Sequence, residues 1–369
     1  MSTRSGHVDT ILLSLVIFLV AGGFMVLTSA ALSLLARSEA TITSILFNQF
    51  FFGIVGGGIA LFIASNIHYR HWRKFAFYIF LLTCGIALLV FVPSLGFTSG
   101  GATRWISIGN FTLQPAELLK VGFIIYMATW LSGVHEHITS FKRGTLLFLA
   151  ILAIPAAILL SQPDTDSFLI IACAAVAMFI TAGGRWRDIF IMALIAVLLL
   201  AILATMRPYV LDRFTAFLDP SADPQGSGYQ ITQSLIAIGS GGLTGRGFGQ
   251  SVQKFEYLPE PIGDSIFAVY AEEFGFVGAL ILIMILSVFT FRGYRIAAEA
   301  RDLFGMLLVV GIMTFIVAQA FLNIASMVGL APISGIPLPF ISHGGTALLA
   351  TLAAVGIVLN VSKYRKVRK

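Results

Sequence analysis

Apolar residues fill this chain in long blocks, separated by short polar stretches, and the block length sets the first expectation. A helix needs about 20 apolar residues to cross a hydrocarbon core, where only internal hydrogen bonds can satisfy its backbone. The pattern predicts ten such spans, over residues 10–35, 43–65, 75–92, 113–131, 144–160, 167–182, 189–205, 264–291, 303–328 and 344–361. The expected fold is therefore an all-α polytopic membrane protein, with residues 1–369 forming a single transmembrane domain. The first span is too long and too continuous with the rest to read as a cleaved signal peptide.

Composition agrees with the pattern. Hydrophobic residues make up 58% of the 369 and charged residues 11%, against about 25% charged in a soluble domain. An even number of spans puts both termini on one side. If that side is the cytoplasm, Arg4, Arg70, Arg73, Lys74, Lys142, Arg143, Arg185, Arg187, Arg292, Arg295, Arg301 and the basic tail 362–369 all face inward. Arg37, Arg104, Arg207, Arg213, Arg246 and Lys254 are left outside. That asymmetry follows the positive-inside rule. It makes the net charge of +6 a matter of topology, and gives no reason to expect nucleic acid as a partner. Cys84 and Cys173 fall inside spans and read as small buried hydrophobes. The six histidines show no metal-ligand spacing, and His135-Glu136-His137 reads as a solvated loop.

The chemistry is expected where the apolar pattern breaks. Residues 207–263 form a large extracytoplasmic loop between spans seven and eight, and Asp264 follows at the border of span eight. A carboxylate there is costly to desolvate, which points to a pathway or a reaction. Within the loop, residues 229–238 predict a short amphipathic helix. Residues 239–249 are glycine-rich without the spacing of a phosphate-binding loop. Arg246 and Lys254 are placed to meet an anionic headgroup, with solvated surface charge as the alternative. Glu272, eight residues past Asp264 and about 12 Å further along a helix, is placed to face the same cavity.

Three other polar stretches matter. The turn-rich loop 93–112 holds Arg104 and Trp105, either a snorkelling interface pair or a diphosphate contact, for which a planar guanidinium fork is suited. Span four opens on Gln114-Pro115-Ala116-Glu117, with Pro115 fitting a first turn. Glu117 and Lys120 are three residues apart on one helix face at membrane depth, so a structural ion pair and a catalytic role both stand. In the turn Gln162-Pro163-Asp164-Thr165-Asp166, Asp164 reads more readily as a helix cap than as part of a cavity. The segment 332–345, rich in proline and glycine and ending on His343-Gly344-Gly345, must pack against protein or a water-filled cavity.

These motifs, RWI followed by QPAELLK, QPD, GYQITQSLIAIGSGGLTGRGFGQSVQKFEYLPE and PLPFISHGG, resemble the SEDS family (shape, elongation, division and sporulation), along nearly the whole chain. The wording of the long loop is closer to the division branch than to the elongation branch. The chain departs from the family's usual pattern at three places. Ile262-Gly263 precedes the aspartate where His-Thr is usual, Asp166 stands for a glycine, and His343 for a tyrosine. The resemblance implies a peptidoglycan glycosyltransferase of the bacterial inner membrane that polymerises glycan from a polyprenyl-diphosphate-linked disaccharide, lipid II. It implies Asp264 as general base and Arg104, with Lys254 or Arg246, as substrate cations. Glu117 and Lys120 are also counted with the substrate-binding set, and Gln114, Asp164, Glu272 and His343 as supports. A divalent cation, magnesium or manganese, is compatible with this chemistry, though no ligand cluster requires one. The implied partners are a class B penicillin-binding transpeptidase of the FtsI type and other membrane proteins of the division or elongation complexes. A lipid II flippase and a structural division scaffold are the alternative readings.

Overall fold

The structure, a computed structural model, describes residues 6–34, 39–99, 102–108, 111–206, 208–222 and 226–365. Arg4, Arg37, Arg207, Lys366, Arg368 and Lys369 lie outside the described residues. Among those described, eight helices are long and apolar enough to cross a membrane: Thr10–Leu34, Ile42–Asn66, Tyr69–Phe91, Pro115–His137, Phe141–Ser161, Ile266–Ala298, Leu303–Met327 and Gly345–Ser362. The sixth expected span is a shorter apolar helix, Thr165–Thr181, and the seventh is the helix Trp186–Met206.

The core gathers around Leu303–Met327, which packs against Pro115–Val134, Thr165–Thr181 and Ile266–Ala298. A side chain added at Gly311 would strike Ile124 and Met178 at 2.6 Å, so a missing Cβ lets three helices close on one another. Gly23, Gly53 and Gly57 serve close packing in the same way, against the backbone of Phe340 and the side chains of Leu348 and Leu352.

The two ends of the bundle differ. At one, Asp9 caps the first helix through the Leu12 amide and receives Arg292 at 2.6 Å and Arg365. The Gly6 amide donates to the Lys363 carbonyl at 2.9 Å. Both ends of the described chain therefore share one face. The opposite face carries the irregular segments. There the stretch expected as a turn-rich loop forms a three-stranded antiparallel sheet, β1 (Gly96–Ser99), β2 (Ala102–Ile108) and β3 (Phe111–Leu113). The expected helical membrane fold stands, with this small sheet added to it. Strand β2 is rich in β-branched residues and buries Ile106, a short alternation that the flanking Gly and Ser residues hide in the sequence.

On the same face the described residues of the segment from 208 to 263 include the helices Pro208–Leu218, Ser227–Ser240 and Gln253–Glu256. The second of these contains the amphipathic helix expected over 229–238. It leads into a splice. Gly275, with φ 67° and ψ −168°, breaks the helix Ile266–Ala298, and the loop supplies partners for the main-chain groups that the break releases. The amides of Arg246 and Gly247 donate to the carbonyls of Glu272 and Glu273, both at 3.0 Å, while Phe276 and Val277 donate to Gly242 and Leu243. A Cβ at Gly275 would lie 2.3 Å from the Gly245 nitrogen, in a backbone conformation that L side chains rarely adopt.

Candidate functional site

Asp264 lies just ahead of the helix that begins at Ile266, with Ser265 in the cap position. It is therefore not the first residue of a span, as the sequence pattern suggests, and does not cap one. Its main-chain oxygen is held by the Asn323 side-chain amide at 2.8 Å, and the neighbouring Gly263 carbonyl by Ser342 at 2.7 Å. Both donors come from the core, Asn323 from Leu303–Met327 and Ser342 from the proline-rich segment before the last helix. The carboxylate is thus fixed by backbone rather than by its own side-chain bonds, and stays available for chemistry.

Three charged side chains converge on Gly335. A methyl group built at that glycine would meet Asp264 Oδ2 at 3.6 Å, Asp166 Oδ2 at 3.9 Å and Arg104 Nη1 at 4.0 Å. Strand β2 delivers Arg104, whose guanidinium also donates to the Pro163 carbonyl. Asp166 accepts from Arg213 at 2.9 Å and from the Gly335 amide at 3.3 Å. Burial pushes the Asp264 carboxyl up to about 7, helped by the negative charges of Glu260 and Asp166 and opposed by Arg213 and Arg104. Asp164 caps the helix Thr165–Thr181 through the Ser167 amide at 3.2 Å, and burial raises its pKa too, with Arg104 opposing. Among the described residues Arg104 Nε, Asp164 Oδ2, Ser334 Oγ and Asn323 Oδ1 are buried without a hydrogen-bond partner. Unmatched buried groups cost free energy unless a polar partner is supplied, which suits this place to a polar ligand.

Glu117 and Lys120 form the i,i+3 pair their spacing predicts, 2.7 Å apart and each 1% exposed. Lys120 also donates to the Gln319 side-chain carbonyl at 3.3 Å, and Gln319 donates to the Pro337 carbonyl at 3.1 Å. One turn further along that helix, Asn323 donates to Ile336 as well as to Asp264. The pair thus reaches the site through the proline-rich segment, and does not touch Asp264 itself.

Other expected residues lie elsewhere. Lys254 is fully buried, its ammonium donating to Glu273 at 2.7 Å and to Ser29 and the Gly249 carbonyl at 2.9 Å. All three protons are matched within the protein, so the expectation that it meets an anionic headgroup does not hold in this geometry. Glu272 does not share the Asp264 cavity. It accepts from Ser251 at 2.6 Å and from the amides of Val252 and Gln253, with Arg246 at 3.4 Å, and so ties the loop to the helix break. His343 and Trp105 line a small cavity with Asn48, Phe52 and Thr346, and burial lowers the affinity of His343 for a proton. Gln114 precedes Pro115 at the start of its helix without capping it by its side chain. Among the described residues no group of three His, Cys, Asp or Glu side chains is arranged to hold a metal ion.

Sequence reasoning passed over Gln319, Asn323, Arg213 and the side chain of Asp166. The two amides carried a usable signal, since they stand four apart in an otherwise apolar span and so share a face. Asp166 was visible only as a replaced glycine.

Comparison with known proteins matches residues 9–367 to the family model of FtsW, RodA and SpoVE, described as cell cycle proteins. Stage V sporulation protein E of Bacillus subtilis is 41% identical over 310 residues, 84% of this chain and 85% of that protein. A probable peptidoglycan glycosyltransferase FtsW of Geobacter sp. strain M18 is 38% identical over 354 residues, 96% of each chain. A chain from a structure of a peptidoglycan synthase complex that coordinates polymerization and crosslinking superposes with a TM-score of 0.81 at 28% identity, covering 97% of this chain and 98% of its own. The rod shape determining protein RodA of Thermus thermophilus gives a TM-score of 0.72 at 25% identity, with 98% of each chain covered.

Proposed function

This chain belongs to the FtsW, RodA and SpoVE family of cell cycle proteins, and from that premise we propose that it is a peptidoglycan glycosyltransferase that polymerises lipid II. The observation that carries the reading is the convergence of Asp264, Arg104 and Asp166 on Gly335, on the face opposite Gly6 and Lys363. Glycan polymerisation joins the anomeric carbon of a sugar carried on polyprenyl diphosphate to a hydroxyl of a second sugar. Asp264 takes the hydroxyl proton as the new carbon–oxygen bond forms, and the diphosphate leaves with the electron pair of the broken bond. Arg104 stands within the same group to stabilise the charge that develops on it. Glu117 and Lys120 act at one remove, bracing the segment 332–345 through Gln319. Lys254, Glu272 and Arg246 hold the loop.

The termini are assigned to the cytoplasm and the Asp264 face to the outside of the inner membrane, in keeping with the distribution of basic residues. The partner is a class B penicillin-binding transpeptidase, in line with the synthase complex whose chain this one resembles. A flippase would call for charge along the whole depth of the bundle. The charges at depth are instead an ion pair held by Gln319, and four unmatched buried polar atoms, Arg104 Nε, Asp164 Oδ2, Ser334 Oγ and Asn323 Oδ1, lie around the site.

The test is glycan synthesis by purified protein with its transpeptidase, given lipid-linked disaccharide and read by product length on a gel. Asp264→Asn should lose roughly 10² to 10⁴ in turnover at equal amounts of folded protein. Near wild-type polymerisation by that variant would remove Asp264 as the base.

A further inference from the structure

Asp166 stands in the first turn of the helix Thr165–Thr181, where an acidic residue ordinarily serves the helix dipole or the cap. Here Asp164 performs the capping, through the Ser167 amide. The Asp166 carboxylate turns to groups from two other elements. One oxygen, Oδ2, takes both the Arg213 guanidinium, from the helix Pro208–Leu218, and the Gly335 amide, from the proline-rich segment. That same oxygen is the one directed at the point where Asp264 and Arg104 meet. The pair is only partly buried, with the Asp166 and Arg213 side chains 15% and 24% exposed, so it contributes little as a general stabiliser. Its position beside the reacting carboxylate is its distinctive property. In the family that the sequence resembles, a glycine at this place would offer no side chain to do the same.

We propose that Asp166 is a positioning residue for the reaction: its carboxylate anchors the Arg213 guanidinium and the Gly335 amide beside Asp264, and thereby sets the local charge in which the base works. The inference rests on Asp264 acting as that base. The charged groups facing Asp264 are Glu260 from its own loop, Asp166 from the helix Thr165–Thr181, Arg213 from the helix Pro208–Leu218 and Arg104 from β2. The segment 332–345 adds no formal charge, since its one titratable residue, His343, is disfavoured from protonation by burial. Asp166 and Arg213 thus bring opposite charges to the surroundings of Asp264.

The experiment is the pH dependence of kcat/KM for polymerisation, which reports the free enzyme's essential groups. It is measured with the transpeptidase present for wild type, Asp166→Asn, Arg213→Gln, the double variant, Asp166→Glu and Asp264→Asn. Asp166→Asn should move the acidic limb down by roughly one unit, and Arg213→Gln should move it up by a similar amount. The double variant should return toward wild type, and Asp166→Glu should keep the wild-type limb. If Asp166→Asn does not fold, the upward shift in Arg213→Gln decides the matter. Limbs that coincide with wild type in Asp166→Asn and Arg213→Gln, while Asp264→Asn is inactive, would overturn the inference and leave the base assignment standing. Activity in Asp264→Asn with the limb intact would instead overturn the base assignment.

Discussion

At Asp264, the burial that hinders ionisation also makes the carboxylate a better base. The sequence alone suggests an aspartate near its unperturbed value of about 3.9, ionised at neutral pH. The structure puts it at about 7, because folding buries it and then sets Glu260 and Asp166 near it, and surroundings brought in by folding cannot be weighed from local sequence. Polymerisation should therefore fall in proportion to the ionised fraction as pH drops below about 7, a limb that a pH–rate profile reads directly. Stability moves with pH as well. The folded carboxyl keeps its proton up to about 7 while the unfolded one releases it near 3.8, so the native state loses stability as pH rises through that window. Asn has no such cost. The apparent melting temperature of Asp264→Asn should pull ahead of wild type between those limits and hold a constant lead above them. A lead that does not change with pH would contradict the buried-base description. Gly335→Ala makes a sharper probe, since its methyl would meet ordinary van der Waals distances of 3.6 to 4.0 Å. It should fold at wild-type yield yet lose on the order of 10²-fold in turnover, by displacing substrate from the convergence point. Unimpaired synthesis by that variant would show that the reaction takes place elsewhere.

Among the elements, the helix Pro115–Val134 was the most legible. Its proline start and its Glu117–Lys120 spacing were both readable, because i,i+3 geometry is local. What the spacing could not show was where the pair leads, since Gln319 arrives from a helix distant in sequence. Glu117→Gln should strand the Lys120 charge and cost roughly 3 to 5 kcal/mol. Exchanging the two residues should recover part of the folded yield and activity in the same preparation. An exchange as damaging as the worse single change would mean that orientation toward Gln319, rather than pairing, is what matters. The sheet β1–β3 was illegible for the opposite reason. Its strands are 4, 7 and 3 residues long, and the seven-residue strand that bears Arg104 shows its alternation only once Ile106 is seen to be buried.

For the whole molecule, the apolar blocks gave the membrane class and most span positions, since span length is a property of the bilayer rather than of packing. They did not anticipate that much of the loop after residue 207 would be helical and tied down. Lys254, Glu272 and Glu273 hold that loop to the first helix and to the helix break, leaving Pro208–Leu218 with Arg213 over the site. The transpeptidase should raise the polymerisation rate by favouring a closed arrangement of this loop, which requires tighter binding to the closed form. Equal rates with and without saturating transpeptidase would dismiss that coupling. The splice at Gly275 runs through main-chain atoms, so Leu243 and Thr244, both exposed, can be rewritten freely. Gly245 cannot, because a side chain there would strike the Glu273 carbonyl at 2.1 Å. A proline at 246 or 247 would delete an amide that the break needs. In a library of foreign loops grafted onto this chain, the spacing from Gly242 to Gly247, more than composition, would decide which grafts the fold accepts.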